Sequence, residues 1–98
     1  MELYAILRRG GWRTGDELGA AAARSKQVGE EEMAADVRWI RSYVLDEGGG
    51  RLGTVCVYEA SSPEAIREHA SRAELPADEV IPIADTVIVR PDPQSAQA

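Results

Sequence analysis

The sequence contains no phenylalanine, one cysteine and one histidine among its 98 residues. The lone cysteine, Cys56, has no partner within the chain for a disulfide bond, which indicates a reducing compartment and predicts a cytoplasmic protein. Zinc fingers and zinc proteases need several Cys or His ligands at short, characteristic spacings. A composition with one cysteine and one histidine therefore excludes zinc fingers and zinc proteases.

Basic charge is also scarce, and long apolar runs are missing. Lysine and arginine number 11 against 17 acidic residues, so the formal net charge is −6. A nucleic-acid-binding protein needs a basic face to displace counterions from phosphates, so nucleic acid is not expected as a partner. No run approaches the roughly 18 apolar residues of a membrane helix, and Met1 leads into a strand-like run rather than a signal peptide. The sequence therefore predicts no membrane contact.

The sequence does contain four strand-like runs and two helix-like runs in a definite order. Thr14 with Glu17 forms a capping box, and Ser62 followed by Pro63 is typical of a second helix start. The order β-α-β-β-α-β predicts an α+β, ferredoxin-like fold with both helices on one face of an antiparallel sheet. We expect one domain over residues 1–90 and a disordered tail over 91–98. The predicted elements are strand 2–9, helix 15–33, strand 36–46, strand 53–60, helix 63–74 and strand 79–90.

The core is expected to be thin, because Leu, Ile and Val together number only 20. If Ile40, Val44, Val55 and Val57 face the helices, the remaining face of the sheet, here called the open face, carries several aromatic side chains. Such a face is too apolar to stay exposed, so we expect a second copy to cover it, as in a dimeric α/β barrel. The residues predicted on the open face are Trp39, Arg41, Tyr43, Cys56 and Tyr58.

Four short segments point to a known family. They are WIRSYV at 39–44, CVYEA at 56–60, IREHA at 66–70 and LPAD at 75–78. In this order and spacing they resemble a family of small bacterial ferredoxin-like domains described as nickel-binding proteins. The resemblance is strong over residues 39–78 and extends more weakly from about residue 18 to 89. It implies a homodimer with a site for nickel or another divalent metal, and no established enzymatic reaction.

Three of the matching polar residues can ligate a transition metal, namely Cys56, Glu59 and His69. Glu59 has the opposite strand parity from Cys56, so it should point toward the helices, where His69 lies. A histidine and a carboxylate completed by water suit a divalent ion of borderline hardness. The alternative is a hydrogen bond between His69 and Glu59 that only positions the second helix.

Two functions of different classes follow from these observations. The first is a small homodimeric protein that binds a divalent metal without established catalysis. The second is a dimeric-barrel enzyme, a cofactor-free monooxygenase or isomerase, acting on a small molecule in the open-face cavity. Its pocket would be lined by Trp39, Arg41, Tyr43 and Tyr58. An interaction dimer without any ligand is a third reading of the same sequence.

Overall fold

Four antiparallel strands form one sheet, and two helices pack on one of its faces. The computed structural model describes residues 1–93. The elements are β1 (Glu2–Trp12), α1 (Gly15–Gln27), β2 (Val37–Asp46), β3 (Leu52–Ala60), α2 (Pro63–Arg72) and β4 (Glu79–Pro82). The strand order β2-β3-β1-β4 confirms the predicted ferredoxin-like fold. No helix within residues 1–93 has the length and apolar character needed to cross a membrane.

Both helices begin where the capping pattern predicts. Thr14 Oγ1 accepts the backbone N–H of Glu17 at 3.1 Å, and Ser62 Oγ accepts that of Ala65 at 3.1 Å. Each bond satisfies one of the free donors in a first helical turn. The Glu17 carboxylate reaches back to accept the N–H of Arg13 at 2.9 Å. Contacts that are local in the sequence therefore set both helix starts.

The predicted helix over residues 15–33 forms as one helical segment with a change of pitch. α1 passes directly into a π-helical turn, Val28–Glu32, in which the Met33 N–H donates to the Val28 carbonyl oxygen at 3.0 Å. Gly29 lies in this turn, and a Cβ at that position would be 3.6 Å from His69 Nε2. This widened turn lies against the His69 ring of α2.

The core lies between the helices and the face of the sheet that includes Tyr58. Tyr4 of β1 and Tyr58 of β3 are cross-strand partners and both are buried, as is Cys56, two residues before Tyr58. Val55 and Val57 therefore point to the open face. The prediction that these two valines face the helices is wrong, because alternation along a strand does not determine which of its two faces the helices cover.

A β-bulge divides β2 between the two faces of the sheet. Trp39 pairs with Tyr58 and Arg41 pairs with Val57, so β2 uses two residues where β3 uses one. The extra residue reverses the alternation, which leaves Trp39 on the helix side and puts Arg41 and Tyr43 on the open face. The five side chains predicted to share the open face are therefore split between both faces.

β1 continues past residue 9, where the strand was predicted to end. Gly10 adopts φ +49° at an irregularity in the pairing of β1 with β3, and its N–H donates to the Glu47 carboxylate. Glycine tolerates this left-handed conformation, so the strand bends there and extends to Trp12.

β4 is shorter than predicted, because the strand expected over 79–90 ends at Pro82, which has no N–H to donate. The Ile83 N–H still bonds to β1, and farther along Asp92 Oδ2 accepts the Tyr43 hydroxyl of β2 at 2.7 Å. Since β4 and β2 are opposite edges of the sheet, the intervening residues pass over the open face. Residues 94–98 of the predicted tail lie outside the described residues.

Candidate functional site

His69, the single histidine, is enclosed between the two helices and the sheet. The residue is 1% exposed, and its Nε2 lies 3.0 Å from the Ser25 carbonyl oxygen. Since a carbonyl oxygen can only accept, Nε2 donates and Nδ1 is the ring nitrogen left for another partner. The ring packs at a tilt on Tyr58, with centroids 5.3 Å apart. Burial lowers the pKa of His69, whereas the hydrogen bond to Ser25 raises it and the charge of Arg8 lowers it. The net shift is downward, so the neutral imidazole is favoured.

Glu59 lies on the opposite side of the sheet from His69. It is the cross-strand partner of Arg38 and forms an ion pair with it at 3.9 Å. The prediction that Glu59 points toward His69 is wrong, because it depended on the inverted facing of β3. Cys56 is buried on the helix side, where its Sγ donates to Thr54 Oγ1 at 3.3 Å.

The three predicted ligands do not assemble into a metal site within one chain. Among residues 1–93, no three His, Cys, Asp or Glu side chains lie close enough together to hold an ion. His69 and Cys56 lie on the helix side, whereas Glu59 lies across the sheet from both. The described part of a single chain therefore does not fit a nickel ion, and a metal role for any one of these residues stays a prediction.

Two of the side chains predicted to line a pocket on the open face lie on the helix side instead. Trp39 and Tyr58 stack on the helix side with ring centroids 6.1 Å apart and planes at 6°. Arg41 and Tyr43 lie on the open face, where both bond to Asp92 Oδ2, at 3.1 Å and 2.7 Å. The four predicted residues therefore do not form a pocket on the open face.

A different cavity opens on the helix side, between β2, β3 and α1. Its volume is about 470 Å³, within the range of small-molecule sites. Its wall is mostly apolar and includes both tryptophans, of which Trp39 is 37% exposed. Its lining residues include Arg8, Trp12, Ala22 and Ser25. Three residues that were predicted for the open-face pocket also line it, namely Trp39, Arg41 and Tyr58.

One charged side chain, Arg8, is buried in the wall of this cavity. It is 1% exposed, and its Nη1 donates to the Pro76 carbonyl oxygen. Its Nη2 has no hydrogen-bond partner in the described part of the chain. None of the ion pairs formed within residues 1–93 includes Arg8. The cavity therefore holds a positive charge without a matching anion. Burial of such an unpaired charge lowers the stability of the fold.

Tyr58 and Ser25 supply polar groups beside this charge. Their hydroxyl oxygens are 2.7 Å apart and both residues are buried. Burial raises the pKa of Tyr58, while the Ser25 hydrogen bond and the Arg8 charge lower it. Because the net direction is upward from the ordinary value, the phenol keeps its proton at neutral pH and remains a hydrogen-bond donor.

Sequence reasoning missed Arg8, although the strand pattern contains its signal. Residues 4, 6 and 8 of β1 point to one side, so Arg8 shares a face with Tyr4 and Ile6. An arginine that continues a large apolar strand face is unusual, because arginine is rarely buried without a partner. The signal becomes informative only when the buried face of β1 is known.

Comparisons with known proteins agree with this fold. A family model described as nickel responsive protein SCO4226-like matches residues 4–83. The crystal structure of SCO4226 from Streptomyces coelicolor A3(2) superposes with a TM-score of 0.70 and 24% sequence identity. The match covers 87% of this chain and 99% of that chain. At this identity the likeness shows the fold alone. Among curated proteins, no sequence matches the chain.

Proposed function

Because the chain belongs to the SCO4226-like family of nickel responsive proteins, we propose that it responds to nickel as a homodimer in which the open faces of two sheets meet. Family membership supports the metal, and the exposed apolar residues that lie over the open face support the dimer. We place this role in the cytoplasm, as the single buried thiol predicts.

The observation that carries the homodimer is the exposed segment Val87–Val89. Val87, Ile88 and Val89 are 85%, 74% and 81% exposed. β-branched residues favour strands, yet this segment is not part of the sheet. Three consecutive apolar residues with this exposure are typical of an interface rather than of a free surface. A second copy placed over the open face would bury them.

The sheet beneath this segment is apolar as well. The apolar side chains at the centre of the open face are only half-buried within one copy, so they gain further burial when a second sheet packs on them. A two-fold dimer uses the same patch on both copies. These apolar side chains carry no charge, so they do not add to the repulsion between two chains of net charge −6. The half-buried apolar residues are Leu3, Ala5, Leu7, Val55 and Val57.

Light scattering tests the dimer directly. The parent protein is expected to show twice the chain mass of 10.6 kDa. Ile88→Asp places a charge in the proposed interface and should give the mass of one chain. Ala23→Asp adds the same charge on the exposed side of α1 and should leave the dimer intact. A parent with single-chain mass, or dissociation of the Ala23 variant, would contradict the proposal.

Nickel binding by this dimer would take ligands from both copies. One chain provides no group of three ligands within residues 1–93, and His69 already uses Nε2 on Ser25. Glu59 lies on the open face with its side chain 34% exposed, so dimerisation brings a Glu59 from each copy to the same interface. Carboxylates with water suit a divalent ion, and a site of this kind has modest affinity.

Calorimetric titration with nickel chloride at pH 7.5 separates the arrangements. Glu59→Gln and Ile88→Asp are each expected to weaken binding roughly tenfold or more, while His69→Gln and the exposed control Glu64→Gln retain it. Unchanged binding by the Ile88 variant would place the site within one copy. Loss of binding in the His69 variant alone would instead support the His69 site predicted from the sequence. No binding by the parent would refute a direct nickel response.

A further inference from the structure

We propose that the helix-side cavity binds a small monocarboxylic acid with an aromatic or otherwise apolar body, and that the Arg8 guanidinium holds its carboxylate. The inference goes beyond the nickel response. It uses neither Glu59 nor the Val87–Val89 segment, so it stands or fails independently of the dimer and the metal.

The unpaired charge of Arg8 is the first argument. A guanidinium stays protonated in proteins, so burial cannot be relieved by loss of a proton as it can for lysine. Nη1 is engaged by Pro76, while Nη2 keeps unused donors. A carboxylate matches the planar fork of a guanidinium and supplies the missing counter-charge. A bound carboxylic acid therefore resolves the one buried polar side-chain atom that has no partner in residues 1–93.

The wall of the cavity is the second argument, because it defines the rest of the ligand. Trp12 and Trp39 both line it, and Trp39 lies parallel to the Tyr58 ring, so flat aromatic surfaces dominate. Leu18 and Val44 add aliphatic surface. Such a wall favours a planar or compact apolar body, and the volume of about 470 Å³ is sufficient for one small molecule.

The charge balance is the third argument, because it selects a single negative charge. Among residues 1–93, two basic residues line the cavity, Arg8 and Arg41. Arg41 is already paired through its Nη1 with Asp92, so Arg8 is the cation available to a ligand. The chain as a whole carries −6. A phosphate dianion would face one available cation in an acidic protein, whereas a carboxylate monoanion is neutralised by Arg8 alone.

Calorimetry and tryptophan fluorescence with benzoate, cyclohexanecarboxylate, neutral benzamide and inorganic phosphate test the proposal. Both tryptophans line the cavity, so an occupant should change their emission. We expect at least one of the two acids to bind the parent protein. Benzamide should bind at least about tenfold more weakly than benzoate, because it lacks the charged hydrogen bond to Arg8. Equal binding of benzamide and benzoate, or binding of inorganic phosphate alone, would overturn the carboxylate assignment.

Matched variants locate the site. Arg8→Met should weaken acid binding at least about tenfold, whereas Arg9→Met, the same change at the exposed neighbour in β1, should not. If Arg8→Met fails to fold, Ala22→Phe fills the cavity while Arg8 stays in place, and it should also abolish binding. Unaltered binding in the Ala22 variant, equal losses at Arg8 and Arg9, or no binding of either acid by the parent would refute the proposal.

Discussion

Replacing Tyr58 by phenylalanine removes one hydroxyl from the inner end of the cavity and tests how the buried polar groups are held. The Tyr58 and Ser25 hydroxyl oxygens are 2.7 Å apart, and the two residues are 1% and 3% exposed. Removal of one partner leaves the other buried without its bond, which costs about 1–3 kcal/mol. The ring itself stays, so its stacking on Trp39 is retained. We therefore expect Tyr58→Phe to lower the free energy of unfolding by this amount.

A double-mutant cycle separates this hydrogen bond from other effects. Ser25→Ala removes the other partner, and the double variant should cost less than the two single variants combined, with a coupling of about 1 kcal/mol. Urea unfolding followed by far-ultraviolet circular dichroism measures each free energy, at one protein concentration because a dimer's stability depends on it. Tyr43→Phe, which loses an exposed bond to Asp92, is the control and should cost less than 0.5 kcal/mol or so. Additivity within about 0.3 kcal/mol would refute the coupling.

Three further perturbations test the packing around the site. Burial lowers the pKa of His69 below 6.5, so as the pH falls the unfolded chain takes up a proton before the folded chain does, and stability present above about pH 6.5 is lost toward the folded-state pKa. His69→Gln should therefore reduce the difference between the urea midpoints at pH 7.5 and pH 5.0, and an unchanged difference would contradict this. A Cβ at Gly53 would lie 2.6 Å from the Arg8 carbonyl oxygen, so Gly53→Ala should cost about 1–3 kcal/mol in urea unfolding, whereas Gly15→Ala meets nothing within 4 Å and should cost far less. Ser62→Ala removes a helix cap and should lower the unfolding free energy by about 1 kcal/mol; no change would mean that α2 does not depend on its cap.

Local patterns in the sequence were sufficient for the elements and their order. Thr14 and Ser62 cap helices at the predicted residues, because a cap depends on a side chain and a backbone N–H only three residues apart. The alternation of apolar and polar residues identified the four strands, because it too is a pattern among residues close together in the sequence. The strand ends were less accurate, since Gly10 bends β1 without ending it and Pro82 ends β4 early.

The candidate site could not be predicted in the same way, because it depends on which face of each strand the helices cover. Tyr58 and Cys56 point to the helices, and Val55 and Val57 point away, the reverse of the expectation. That inversion separates His69 from Glu59 and removes the metal pair inferred from strand parity.

The sequence by itself determined that this chain folds as two capped helices on a four-stranded sheet, because those signals lie within a few residues of one another. Only the tertiary structure decided the chemistry of the two faces. One extra residue in β2 reverses its alternation after Trp39, and the docking of α1 and α2 buries the side of β1 that carries Arg8. Both effects arise from how separate elements pair and pack with one another, so no pattern within a single element contains them.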